Sequence, residues 1–369
     1  MNKIYSVLLL FCCVLFCTCS KQEQFSFSTM SYADLLRIQH SDNWTAVDVL
    51  DAWHPGQVLH RYILVPHDQE LPDQLPQGTL VRTPLQRTIV LSSVHGSLFC
   101  DLGCADQIAG MCDVEYIQSD SLRQRLKDHR MADAGSSMQV DQERLVSLRP
   151  DAFFVSPFEN AGYGVLQSLN VPLIECADYM ETSALGRAEW MKFFGLLMGC
   201  EAEADSAFAE IEKEYLDLCQ KVEQVQERPT LLCDTKQGSA WYVPGGDSYI
   251  GRLFSDAGAR YLFSNKNISG SVPLSFENVY ATGHNADIWI IKYGGSAPIS
   301  YKSLATDYSL YTQFRPWKER KIYGCNTFSI PFYEEIPFHP ERLLRDLVKI
   351  LHPSILPDYQ LQYYLPLSE

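Results

Sequence analysis

The chain has 369 residues, and its 45 Asp and Glu residues outnumber its 30 Lys and Arg residues, which gives a formal net charge of −15. Such an acidic chain is not expected to bind nucleic acid. Its apolar content of 46% can fill real cores and excludes a disordered chain. The length predicts two domains or one large domain with two lobes.

The N-terminal end has the pattern of an export signal. Lys3 supplies a short positive region, and an uncharged stretch rich in Leu, Phe, Val and Cys runs from Tyr5 to Cys19. This stretch is too short to cross a membrane as a helix. Its end, Leu-Phe-Cys-Thr-Cys, resembles a bacterial lipobox. This predicts a lipid on Cys19, with Cys17 as the weaker alternative, and favours a lipid-anchored protein of the periplasm or cell envelope over plain secretion. Because Lys3 is the only charged residue in 1–18, cleavage changes the net charge from −15 to −16.

Residues 25–80 form an extension in which short β-like runs are separated by prolines. Tyr62–Pro66 is predicted to be a strand that proline ends, and 71–78 an ordered loop. From about Thr83, strands and helices alternate. Compact apolar runs predict strands at 87–92, 107–111, 151–156 and 171–175, with helices at 97–102, 141–148 and 165–169. This alternation indicates a parallel sheet that helices cover on both faces.

The longest helical pattern lies in the middle of the chain. Thr182 is placed to cap a helix that ends at Gly199. A second helix begins near Glu201, and its apolar residues recur at steps of three and four along about six turns. These residues are Ala204, Ala207, Phe208, Ile211, Tyr215, Leu218, Val222 and Val225. The stripe fits a helix packed on a core. It also fits a rod between two lobes, since the strand–helix alternation stops before it and resumes after it.

A second α/β region begins at Pro229. Strands are predicted at 230–233, 261–263, 287–291 and 321–324, and helices at 248–257, 276–281 and 340–351. No segment between the two regions is long enough to separate two independent domains. The sequence therefore predicts two α/β lobes that are closely joined.

Motifs of enzymatic chemistry are missing from the sequence. It has no phosphate-binding or dinucleotide-binding glycine loop, no G-x-S-x-G elbow and no paired histidines at metal-ligand spacing. The cysteines that follow the signal are Cys100, Cys104, Cys112, Cys176, Cys200, Cys219, Cys233 and Cys325. They are scattered over apolar patterns, which favours a buried, reduced role over a metal site. A disulfide between two of them stays open in an oxidising compartment. We expect no enzyme, no metal site and no cofactor.

Four segments, in this order and spacing, resemble one family: 87–103, 143–151, 245–259 and 286–291. The second of them runs Glu-Arg-Leu-Val-Ser-Leu-Arg-Pro-Asp. From about Arg87 to Leu351 the chain resembles the substrate-binding proteins of ABC importers for iron–siderophore, haem and cobalamin. The resemblance implies two α/β lobes with parallel sheets, joined by a long rigid helix, with the ligand in the cleft between them. The implied division is signal 1–18, tether and extension 19–80, N-terminal lobe 81–200, connecting helix 201–227 and C-terminal lobe 228–369.

Loops at the carboxyl ends of the strands are expected to line this cleft. The candidate ligand-binding residues are His95, Phe158, Tyr163, Trp241, Tyr242, Tyr293, Phe332 and Tyr333. These loops are aromatic and short of Arg, which favours a cobalamin-like or haem-like chelate of cobalt or iron over an anionic siderophore. For each ring, packing in the core is an equal alternative. A lone His such as His95 is more often structural than a metal ligand.

The resemblance also implies a monomer whose partners are an ABC permease and its ATPase. By analogy with cobalamin-binding relatives, an acid on each lobe would meet permease arginines, and the matching positions are Glu143 and Asp247. Glu143 can equally be an ordinary first-turn acid of a helix. Two other functions stay open: an extracytoplasmic enzyme on the same two-lobed frame, or a surface lipoprotein that captures ligand for an outer-membrane receptor through residues 25–80.

Overall fold

Two sheets of mainly parallel strands, each packed against helices, form the two lobes of the protein. The computed structural model describes residues 27–369, so the predicted signal and Cys19 lie outside the described residues. The predicted fold class is confirmed. Within residues 27–369, no helix combines the length and the apolar content needed to cross a membrane.

A further sheet precedes the first lobe, and we call it the N-terminal sheet. Its strands pair in chain order, antiparallel except for the last pair, which is parallel. They are β1 (Ser28–Thr29), β2 (Leu36–His40), β3 (Thr45–Leu50), β4 (Val58–Pro66) and β5 (Thr79–Thr83). The predicted strand at 62–66 is the second half of β4, and 71–78 is a loop as predicted. Because β5 extends to Thr83, the sheet crosses the predicted boundary at residue 80.

The N-terminal sheet is fixed to the first lobe by Tyr62, which is fully buried. The Tyr62 hydroxyl donates to the carbonyl oxygen of Leu173 and accepts from the backbone N–H of Glu175, both at 2.8 Å. Its ring lies 5.8 Å from that of Phe193. The extension is therefore part of the folded body of the protein.

The N-terminal lobe contains a parallel sheet in the order β10-β9-β6-β7-β8. Its strands are β6 (Thr88–Val90), β7 (Ile108–Met111), β8 (Ala132–Asp133), β9 (Ala152–Val155) and β10 (Leu173–Glu175), and its helices are α1 (Ser93–Asp101), α2 (Asp120–Lys127) and α3 (Gln142–Ser147). Helix α1 begins four residues before the predicted start because the Ser92 side chain accepts a hydrogen bond from the Val94 N–H and caps it. The helix predicted at 165–169 is a 3₁₀ helix, Gly164–Leu169.

Three consecutive helices connect the lobes: α4 (Ala184–Glu189), α5 (Met191–Met198) and α6 (Glu201–Glu223). The single helix predicted up to Gly199 is divided at Trp190, and Ser183 rather than Thr182 caps it. Helix α6 spans 23 residues, about 34 Å. Of the predicted stripe, Ala207 is half-buried and Val225 lies beyond the end of the helix, while six residues are buried: Ala204, Phe208, Ile211, Tyr215, Leu218 and Val222. It packs against α5 of the first lobe and against the last long helix of the second lobe. Helix α6 is therefore both a helix packed on a core and a connection between the two lobes.

The C-terminal lobe is built on a sheet in the order β14-β11-β16-β17-β18, parallel except for its last strand. A small antiparallel sheet, β12-β13-β15, lies beside it. The elements are β11 (Thr230–Cys233), β12 (Lys236–Gln237), β13 (Ala240–Pro244), α7 (Tyr249–Asp256), β14 (Arg260–Tyr261), β15 (Ser271–Leu274), α8 (Phe276–Gly283), β16 (Ile288–Tyr293), α9 (Tyr301–Asp307), α10 (Arg315–Lys318), β17 (Ile322–Asn326), α11 (Phe332–Glu335), α12 (Pro340–Leu351) and β18 (Leu365–Pro366).

Direct contacts hold the lobes together at α11 and the residues after it. The backbone N–H groups of Gln118 and Ser119 donate to the Glu334 carboxylate at 2.9 and 2.5 Å. His339 Nε2 lies 3.2 Å from a carboxylate oxygen of Asp101. Glu334 and His339 belong to the C-terminal lobe and their partners to the N-terminal lobe. These contacts therefore join the two lobes in addition to the connecting helices.

Candidate ligand cleft

Strand order in the C-terminal lobe indicates a candidate ligand site at the ends of β11 and β16. In this sheet β11 lies between β14 and β16. The chain first adds β14 on one side of β11 and later adds β16 on the other side, so the direction in which strands are added reverses at β11. Open α/β sheets bind ligands at such a switch point, beyond the carboxyl ends of the strands. Asp234 directly follows β11, Lys292 and Tyr293 end β16, and Thr327 directly follows β17.

A cavity of about 940 Å³ opens at this point between the lobes. The N-terminal lobe contributes Tyr179, Met180 and Glu181, which follow its edge strand β10. The C-terminal lobe supplies the remaining wall: Asp234, Gln237, Tyr242, Pro244, Ser248, Tyr249, Ile250, Ser269, Gly270, Ser271, Lys292, Tyr293, Gly294, Thr327, Phe332 and Tyr333. The volume is at the upper end of the usual range for small-molecule sites, so it suits a large ligand.

An ion pair lies in the wall of the cleft. Lys292 Nζ contacts both carboxylate oxygens of Asp234, at 2.9 and 3.0 Å, and the two side chains are only 20% and 15% exposed. Burial works against the charge on Lys292, but the Asp234 carboxylate outweighs it and holds the pKa of Lys292 well above its ordinary value. Lys292 is therefore a charged ammonium whose charge is already matched by a protein carboxylate.

Glu181 in the opposite wall directs its carboxylate to the protein. It accepts hydrogen bonds from the backbone N–H groups of Leu35 and Asp34, at 2.9 and 3.0 Å, and from the indole N–H of Trp190 at 2.9 Å. Burial raises the pKa of Glu181, although these three donors act in the other direction. The N-terminal wall of the cleft is thus bonded to the N-terminal sheet.

Four of the predicted ligand-binding residues lie together in the cleft: Tyr242, Tyr293, Phe332 and Tyr333. Tyr333 is 57% exposed and Tyr242 46% exposed, so both offer ring surface to a ligand. Phe332 is nearly buried, and its ring contacts that of Tyr333 at 5.4 Å between centroids. The contact of these residues with a ligand stays a prediction.

The predicted cleft position is wrong for His95 and Trp241. His95 is 3% exposed, and its Nε2 pairs with Asp178 at 2.9 Å, in the core of the N-terminal lobe. Trp241 is fully buried, donates from its indole to the carbonyl oxygen of Cys233 at 3.0 Å and stacks on Trp289. Hydrogen-bonded core packing, the alternative for both residues, is what the structure shows.

The loop after β9 also lies apart from the cavity wall. The Tyr163 hydroxyl donates to Glu175 at 2.8 Å, and burial raises the pKa of Tyr163. Phe158 is 64% exposed, and its ring lies 6.1 Å from that of Tyr179, which does line the cleft. Phe158 therefore lies next to a residue of the cavity wall without lining the cavity itself, and Tyr163 bonds to Glu175 at the end of β10.

Sequence reasoning missed Asp234, Lys292, Tyr179 and Tyr249. Asp234 directly follows a predicted strand, and Lys292 directly follows another, so the strand-end rule itself identifies both. Tyr179 follows β10, the edge strand. Tyr249 begins α7, and its ring lies 5.4 Å from the Arg187 guanidinium of the other lobe. The cleft therefore contains one tyrosine from the N-terminal lobe, Tyr179, in addition to those of the C-terminal lobe.

The predicted docking acids lie on different lobes, as the resemblance implied. Glu143 is exposed in the first turn of α3, and Asp247 is partly exposed directly before Ser248, the cap of α7. Their role stays a prediction. Within residues 27–369, no group of three His, Cys, Asp or Glu side chains is arranged to hold a metal, and the eight cysteines there are unpaired.

Two α/β lobes, a helical connection and a cleft between the lobes define a class of ligand-binding proteins. Residues 90–326 match the family model for periplasmic binding proteins, and the chain belongs to that family. Proteins of this family are periplasmic binding proteins, which bind their ligands outside the cytoplasm. The N-terminal sheet lies before the matched region.

Individual proteins are similar to most of the chain, and the solved structures among them share its fold. An uncharacterized lipoprotein of Methanocaldococcus jannaschii is 22% identical over 343 residues, which cover 88% of this chain and 79% of the relative. The periplasmic heme binding protein of Pseudomonas aeruginosa has a TM-score of 0.59 at 18% identity, covering 77% of this chain and 99% of that one. A protein of an ABC-type Fe³⁺-hydroxamate transport system from Saccharomonospora viridis has a TM-score of 0.57 at 15% identity, with coverages of 73% and 94%.

Proposed function

We propose that this protein captures a metal chelate, a complex of iron or cobalt, in the cleft between its lobes and delivers it to an ABC importer permease and its ATPase. The observation that carries the proposal is the cavity of about 940 Å³ between the lobes, which is lined by Tyr179 of the N-terminal lobe and by four tyrosines of the C-terminal lobe, Tyr242, Tyr249, Tyr293 and Tyr333. Broad ring surfaces suit the flat face of a corrinoid or porphyrin, or the apolar shell of a siderophore.

The described residues of the cleft support binding rather than catalysis. Its ionisable side chains other than tyrosines are Glu181, Asp234 and Lys292, and each of them is engaged by protein groups. General acid–base or nucleophilic catalysis needs a group that is free to reach a substrate. The cleft therefore fits a site that holds a ligand and releases it unchanged.

The proposal includes a lipid on Cys19 that keeps the protein at the membrane in which its permease resides. A relative that is named as a lipoprotein supports the anchor, and a solved structure from an ABC-type transport system supports the permease. Labelling with a radioactive fatty acid tests the anchor. Label should be lost in Cys19→Ser and kept in Cys17→Ser.

A binding screen tests the ligand class. The purified chain from residue 20 onward is mixed with cobalamin, haem and ferric siderophores, and thermal shift is followed by calorimetric titration. One chelate should bind with micromolar or better affinity, about −8 kcal/mol or more negative, without turnover. Tyr242→Ala should weaken this binding, whereas Tyr116→Ala, an exposed tyrosine outside the cleft, should leave it unchanged. If no chelate stabilises the protein, the ligand class is rejected.

A further inference from the structure

The charges in the cleft carry information about the ligand. Among the described residues that line the cavity, Lys292 provides the positive charge, and Glu181 and Asp234 provide the negative charges. Lys292 Nζ is bound by both oxygens of Asp234. Glu181 is turned toward the backbone of Asp34 and Leu35. The described wall thus presents no unmatched cation to a ligand.

We infer that the cleft selects metal chelates of zero or positive net charge and discriminates against anionic ones, an inference that rests on the proposed function. The ligand class includes neutral and cationic ferric trihydroxamates and cobalamin. It leaves out tricatecholates and haem, because catecholate oxygens and haem propionates bring negative charge into the cleft.

An anionic ligand would meet two electrostatic obstacles. The strongest protein partners of carboxylates and other anions are guanidinium or ammonium groups that are free to donate to them. To reach Lys292, an anion would have to compete with Asp234, and the displaced carboxylate would then stand next to the ligand as a like charge. The overall charge of −15 adds a repulsive field at longer range.

A neutral chelate meets neither obstacle. The ion pair stays intact, and three uncharged polar side chains of the wall, Gln237, Ser269 and Ser271, are available to amide and hydroxamate oxygens. Tyr242 and Tyr333 offer exposed ring surface to the organic shell. A cationic chelate has in addition the electron-rich faces of these rings as partners.

A panel of chelates that differ in net charge tests the inference on the wild-type protein. Calorimetric titrations compare a neutral cyclic ferric trihydroxamate, a cationic linear ferric trihydroxamate, a trianionic ferric tricatecholate, cobalamin and haem at one ionic strength. We expect the tightest ligand to be neutral or cationic and at least tenfold tighter than either anionic chelate. If the tricatecholate or haem binds tightest, the inference is overturned and the proposed function stands. If nothing binds, the proposed function falls and the inference with it.

Two variants test the role of the ion pair directly. Asp234→Asn frees Lys292 and should raise the affinity for the anionic chelates about tenfold or more while lowering that for the cationic one. Lys292→Gln should act in the opposite direction, because it leaves Asp234 as an unmatched charge. Asp358→Asn is the matched control, since it removes one negative charge from an exposed position of the same lobe. Equal effects of Asp234→Asn and Asp358→Asn on all chelates would overturn the inference. Circular dichroism and the retained affinity for the neutral chelate verify that each variant is folded.

Discussion

Replacing Glu189 tests whether the N-terminal sheet is held to the first lobe as the structure indicates. Glu189 is 1% exposed in α4, and its carboxylate accepts from the backbone N–H groups of Ser31, Tyr32 and Ala33 at 3.1, 2.8 and 3.0 Å. Lys192 Nζ lies 3.3 Å from the same carboxylate. One buried side chain therefore satisfies three donors that lie more than 150 positions earlier in the chain.

Glu189→Gln keeps the shape of the side chain but places an N–H donor against at least one of these N–H groups. Hydrogen bonds to a charged acceptor contribute about 1.5–3 kcal/mol each, and a buried donor left unsatisfied costs about 1–3 kcal/mol. With one bond lost and two weakened, we expect the free energy of unfolding to fall by about 3 kcal/mol. The contact with Lys192 is a single one at 3.3 Å, made by a side chain that is 28% exposed, and it contributes less than the backbone donors.

Urea unfolding of the chain from residue 20 onward measures this loss, and amide hydrogen exchange locates it. Exchange of the backbone N–H groups of residues 31–33 should accelerate in Glu189→Gln. Glu210→Gln, on the exposed side of α6, is the control and should change the free energy of unfolding by less than about 0.5 kcal/mol. A Glu189→Gln protein as stable as the control, with unchanged exchange at residues 31–33, would refute the anchoring role.

Three further predictions concern pH, transport and the cleft. Burial opposes the charge on His339, but bonds to Asp101 and Glu341 outweigh it and raise the pKa of His339 to about 9. Protonated His339 therefore raises the free energy of unfolding by up to about 3 kcal/mol. This contribution is fully present below pH 6.5 and is lost as the pH rises through 9. Urea unfolding measured across this pH range should show the loss in the wild-type protein and not in His339→Gln. Glu143→Arg should spare ligand binding but abolish uptake in cells, and unchanged uptake would exclude docking through this acid. Tyr333→Ala, which removes an exposed ring of the cleft, should weaken chelate binding about tenfold in calorimetry with an unchanged melting temperature.

The elements that the sequence predicted correctly are those in which the spacing of apolar residues along the element itself determines which residues are buried. Helix α6 was predicted because residues three and four apart share a face, and six residues of the stripe from Ala204 to Val222 are buried as expected. Four parallel strands of each lobe were predicted because parallel strands that helices cover are compact apolar runs. The remaining strands of the two lobes were not predicted: β8, β12, β13, β15 and β18. The N-terminal sheet was predicted only in part, as strand 62–66. Its carboxylate anchors are Glu181 and Glu189, and no local pattern links residues 31–35 to acids that lie so far along the chain.

Position near the end of a strand does not by itself predict which side chains line the cleft, because the alternation of side chains along a strand also matters. In β13, Trp241 and Tyr242 are neighbours, and side chains of neighbouring strand residues point to opposite faces. Only one of the two can therefore line the cavity, and it is Tyr242, which is 46% exposed, whereas Trp241 is buried. His95 was misplaced for a different reason. Helix α1 begins at Ser93, so His95 already lies in the helix and turns into the core toward Asp178.

The N-terminal sheet and the cleft meet at Glu181. This residue lines the cavity, and the same carboxylate accepts from the backbone N–H groups of Asp34 and Leu35, directly before β2. The wall that the first lobe presents to a ligand, Tyr179 to Glu181, thus depends for its position on a sheet that precedes the region shared with the family. An extension that only tethered the protein would need no such bonds. The geometry instead makes the N-terminal sheet a support of the binding cleft, so residues before the family match should affect ligand affinity.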